Sequence, residues 1–171
     1  MDSLIYLIIL RLLHISCGVF WGGTAIYLSA FVTPAVKASG PEGGKFMQQL
    51  ARTNKLPMVM TITSTITILA GVLLIWKLSG GFQYEWMLTT HGLILNVGAL
   101  LAIIAYFEGL FITRPTVLKI NKLSQQIGSD QPTLEQAQQL IIYRKKMVAA
   151  TNSAAILLGI SVIAMSINRY L

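Results

Sequence analysis

The sequence predicts an all-α integral membrane protein, a bundle of four transmembrane helices. Three observations carry that expectation. Hydrophobic residues make up 54% of the 171-residue chain. Charged residues make up only 11%, against about 25% in soluble domains. Four apolar runs, at about residues 4–36, 56–77, 88–113 and 147–168, each reach the roughly 20 residues a helix needs to cross a bilayer. They are too long for barrel strands and lack strict alternation.

The first run, Leu4 to Val36, exceeds a membrane's thickness, so it tilts or lies partly at an interface. Its start, "MDSLIYLIIL", has an acidic residue where a signal peptide carries positive charge, and no small-residue cleavage site follows. It reads as a retained segment. The second run, "LPMVMTITSTITILAGVLLIW", holds Pro57 in its first turn, where the missing N–H breaks no bond. Its Thr63, Thr67 and Gly71 share a face, for which packing is the expected role. The third run, Leu88 to Thr113, contains His91 and Glu108. Glu108 is expected to pair with Arg114 or with the fourth helix, proton carriage being the alternative. The fourth run spans Met147 to Ile167.

The connections have structure of their own. "ASGPEGG" reads as a turn, and "KFMQQLARTNKL" as an interfacial helix with Phe46, Met47 and Leu50 inward. "RPTVLKINKLSQQI" carries a helical stripe of Val117, Ile120 and Ile127, which "GSD" breaks. Thr133 with Gln136 forms a capping-box pattern, and Leu134, Ala137, Leu140 and Ile141 follow on one side. Helices three and four are therefore expected to extend past the membrane and meet as a cytoplasmic hairpin.

Lysine and arginine set the orientation. Lys37, Lys45, Arg52 and Lys55 lie in the first connection; Arg114, Lys119, Lys122, Arg144, Lys145 and Lys146 lie in the third. Only Arg11, Lys77 and Arg169 lie on the other side. Ten against three places the first and third connections in the cytoplasm and both termini outside, as in a multi-pass protein of the bacterial cytoplasmic membrane. The net charge of +7 is thus a topology signal with some attraction for anionic lipid. It is not the mark of a nucleic-acid site.

The chemistry-bearing residues are few. The single cysteine, Cys17, excludes an intrachain disulfide and a Cys-based metal site. Both histidines fall in apolar runs, and counting residues from the boundaries puts His14 and His91 at one depth near the outer face. His14, Gly18 and Gly22 recur every four residues on one helix face, with Arg11 one turn outward; Lys77 and Arg169 end helices two and four on the same side. Two imidazoles, a face bare of side chains and cations above it suit a haem b: axial ligands, room for the macrocycle, and propionate partners. The structural alternative is that Gly18 and Gly22 only let helices approach, that the histidines bond across helices and that Arg11 snorkels. Cys17, Met60, Met87 and Met165 offer soft ligands for Cu(I), the copper alternative.

The stretch "LLHISCGVFWGGTAIYLSAFVTP" resembles the first helix of the group containing the HemJ-type protoporphyrinogen oxidases. The shared pattern is Leu13-His14, Trp21-Gly22, Tyr27-Leu28 and Pro34. It is also similar to the copper-resistance D membrane family. The resemblance covers helix one well and helix three loosely. It implies a haem-binding role for His14. It also implies a functional lysine near the start of helix three, where this chain has His91 after Trp86; a second axial imidazole is then favoured over porphyrinogen oxidation.

The resulting expectation is a haem b-binding membrane protein with a redox or electron-transfer role, ligated by His14 and His91, self-associating, and exchanging electrons with a quinone or a redox protein. A copper-handling protein or a cofactor-free accessory subunit is the alternative.

Overall fold

The computed structural model describes residues 2–128 and 131–170, apart from the side chains of residues 2, 3, 41 and 169. Every described element is helical. Helix α1 (Asp2–Tyr27) passes through a π-helical turn (Leu28–Val32) into α2 (Thr33–Ala38), and α3 (Gly40–Arg52) follows. Lys55, in the left-handed region at φ 51°, turns the chain into α4 (Leu56–Leu78). After the short α5 (Tyr84–Met87), α6 (Thr90–Glu108) passes through a second π-helical turn (Gly109–Thr113) into α7 (Arg114–Ile127). Helix α8 (Leu134–Ile167) ends in a 3₁₀ turn (Asn168–Tyr170). Four helices are long and apolar enough to cross a membrane: Leu4–Ala38, Leu56–Leu78, Thr90–Ile127 and Leu134–Ile167.

Sequence chemistry accounts for the ends. The Thr89 hydroxyl accepts from the Gly92 amide to cap α6, and Thr133 with Gln136 forms the capping box expected for α8. Each π-helical turn ends two residues before a proline, Pro34 and Pro115. A proline ring collides with the carbonyl four residues back and brings no N–H, so the helix widens by one residue there. Widening keeps each long helix continuous where an ordinary α-helix would kink.

Helices α1 and α4 pack antiparallel along their length, as do α6 and α8; α1 against α8 and α4 against α6 close the ring through lighter contacts. The shared core is Trp21, Ala25, Ala102, Ala105 and Leu158, with Met60 and Ile68 against it. Small residues dominate because membrane helices associate through close van der Waals approach, without a hydrophobic drive between them. Large apolar side chains such as Leu12, Val19, Leu69 and Phe111 point outward, where lipid solvates them. Polar cross-links join neighbours: Ser161 Oγ donates to Gly98 O at 2.7 Å, and Ser29 Oγ to Asn152 Oδ1 at 2.8 Å. Thr65 and Tyr106 hydroxyls meet at 3.1 Å.

Helix α7 packs against α8, and its Thr116 and Leu123 are buried. The expected stripe on α8 is corrected. Leu134 and Ile141 are 77% and 54% exposed, while Ala137 and Leu140 are half-buried. Leu134 sits in the first turn beyond the reach of α7, and Ile141 faces away. Phe46 of α3 is likewise 53% exposed rather than inward. It lines a cleft with Tyr27 and Phe31, whereas Met47 and Leu50 are half-buried.

Candidate functional site

His14 projects from α1 onto α4. Its Nδ1 lies 2.9 Å from the Thr67 carbonyl oxygen, which can only accept, so Nδ1 carries the proton. The ring rests on Gly71, where a Cβ would stand 2.9 Å from Cε1 and 3.0 Å from Nδ1. Only a glycine leaves room for the imidazole at this approach. Nε2 has no hydrogen-bond partner among the described residues.

His91, in the first turn of α6, is exposed and places Nδ1 3.1 Å from the Asn168 carbonyl oxygen at the end of α8. It too donates from Nδ1 and leaves Nε2 free. Asn168 Oδ1 is buried without a hydrogen-bond partner among the described residues. The two histidines are thus oriented in the same way by backbone carbonyls, but by different helices.

The remaining expected site residues divide. A Cβ on Gly18 would meet Thr67 Cγ2 at 3.3 Å, so the face below His14 is not bare at that level; Thr67 fills it. Gly22 is buried, yet nothing stands within 4 Å of its Cβ position. Arg11 and Lys77 are exposed. The side chain of Arg169 lies outside the described residues.

The soft ligands do not converge. Met60 joins the core, Met165 packs on Gly98, and Met87 Sδ accepts from Asn96 at 3.8 Å. Among the described residues, no three of His, Cys, Asp and Glu come together as a metal site. Thr63 and Thr67 hydroxyls bond carbonyls of their own helix. Glu108 does not form the expected ion pair with Arg114: the ion pair among the described residues is Lys45–Glu42, 2.7 Å. The π-helical turn separates the two, and Arg114 is exposed.

Sequence reasoning passed over Asn96 and Asn152, whose side-chain amides bridge elements here. Their signal was legible, since an amide within an apolar run requires an interhelical partner. No protein-family model, no curated protein and no solved structure matches the chain.

Proposed function

We propose that this multi-pass membrane protein binds a haem b through Nε2 of His14 and His91 and serves in electron transfer. The observation that carries the reading is the pair of Nδ1–carbonyl bonds, from His14 to Thr67 midway along α4 and from His91 to Asn168 at the end of α8. Metal-ligating histidines characteristically donate their other ring N–H to a carbonyl, which fixes tautomer and ring orientation. Helix register supports the pairing. From the Ser29–Asn152 contact, His14 lies back along α1 and Asn168 onward along α8 by nearly equal lengths, roughly 22–24 Å.

A bound haem would supply one-electron chemistry, and Nε2 of His14 and of His91 would hold it. The chain's own residues orient the rings, with Gly22 giving space deeper in the bundle and Arg11 and Lys77 supplying positive charge. In this reading the membrane is the bacterial cytoplasmic membrane, and both termini are extracytoplasmic. The α7–α8 pair is then a cytoplasmic hairpin, and a quinone or redox protein, with self-association, completes the assembly.

A second reading rests on the His14–Gly71 contact: His14 clamps α1 to α4 and binds nothing. Such interhelical bonds contribute only about 0.6 kcal/mol on average. Absorption spectra of protein purified after growth with ample haem, oxidised and then reduced, separate the two. A low-spin spectrum lost in His14→Ala and His91→Ala supports ligation. A colourless protein, or a low-spin spectrum retained in both variants, sinks it.

A further inference from the structure

We propose that Glu108, with Ser29 and Asn152, forms a proton-exchange site in the half of the bundle away from the histidines. It rests on none of the haem reading. Glu108 closes α6; the residue is half-buried, and its Oε2 is buried with no hydrogen-bond partner among the described residues. An unpaired carboxyl oxygen among apolar helices is costly to hold, so its presence points to a ligand that removes the deficit.

Helix register puts two further polar groups at this depth. Starting from Ser161 on Gly98 O, Glu108 lies roughly 15 Å along α6 and Asn152 roughly 14 Å back along antiparallel α8. Asn152 Oδ1 is already bonded by Ser29 of the first π-helical turn, and Glu108 immediately precedes the second. Helix α8 packs against both turns. The two π-helical turns therefore lie at about the depth of Glu108.

Charge does not come from neighbouring elements. On α7, Arg114, Lys119 and Lys122 are exposed; on α8, Glu135, Arg144, Lys145 and Lys146 are exposed. Lys77 and Glu85 are exposed at the opposite end of α4 and on α5. None of them pairs with Glu108. A divalent cation needs about six converging oxygens, and no cluster of three acidic, histidine or cysteine side chains exists among the described residues. A proton needs one oxygen, which Glu108 has. The basic side chains flank the end of the bundle where that proton meets water.

Dicyclohexylcarbodiimide tests this on the full chain in lipid nanodiscs. The reagent takes the carboxyl proton on nitrogen while the carboxylate oxygen bonds its central carbon; rearrangement leaves a stable acylurea, read by mass spectrometry. The Glu108 peptide is expected to label. Glu108→Gln should abolish the label, and Asn152→Leu should change its rate several-fold at fixed pH. Infrared spectra of the wild-type protein with labelled glutamate, which need no variant, should show a carboxylic C=O band that shifts in D₂O and vanishes as pH rises. Absence of both label and band across the pH range of the folded protein would overturn the proposal. Saturable protection by sodium or potassium at fixed pH would also overturn it, by making the ligand a metal ion.

Discussion

Single atoms separate the glycines of this bundle. Gly71 faces an imidazole at 2.9 Å, whereas nothing approaches Gly22 within 4 Å. Gly71→Ala should therefore destabilise the α1–α4 contact by about 1–3 kcal/mol through overpacking. Gly22→Ala should be neutral or stabilise by up to about 1 kcal/mol, because it removes a helical glycine. Unfolding in mixed micelles, followed by circular dichroism, measures both, and equal losses would contradict the packing described. The sequence marks out His14 and the four-residue glycine spacing. It did not reveal that Thr67 occupies the space at Gly18, because helix periodicity locates a face without saying which neighbour covers it. The pairing of Glu108 failed for a related reason: nearness in sequence to Arg114 does not survive a π-helical turn.

Among the elements, the four long helices and the Thr133 cap were legible because hydropathy and capping are local properties. The faces of short amphipathic segments were not, as Leu134, Ile141 and Phe46 show. Their burial depends on where α7 and α1 arrive. In a Cys17→Ser background, cysteines at Leu123 and Leu140 should crosslink within one chain, while Leu123 with Ile141 should not. Reversal of that pattern would mean α7 meets another face of α8. The second π-helical turn gives a sharper test. Deleting Leu110 removes the extra residue that the widened turn absorbs, so α6 and α7 should join as one α-helix with Arg114–Ile127 keeping their face. The Leu123–Leu140 crosslink should then survive while α6 remains packed on α8. Loss of the crosslink would show that the widened turn itself sets the direction of α7.

For the whole molecule, the proposed orientation rests on the ten-to-three distribution of lysine and arginine. Reporter domains fused after residue 171 should behave as extracytoplasmic, and those inserted after Gly128 as cytoplasmic. The reverse result would turn the bundle over, placing the histidines toward the cytoplasm and the Glu108 layer toward the exterior. It would leave every helix contact unchanged, because packing does not depend on which side faces the cell.

The unequal closure of the ring has a consequence for how the chain comes together. Most of the packing joins partners adjacent in sequence, α1 with α4 and α6 with α8, so each half is a hairpin largely complete when it leaves the insertion machinery. The halves meet through lighter contacts and are tied covalently only by the exposed Gly80–Gly81 loop. Cutting the gene there and expressing residues 1–80 and 81–171 as separate polypeptides should yield two inserted hairpins that find each other in the bilayer and co-purify.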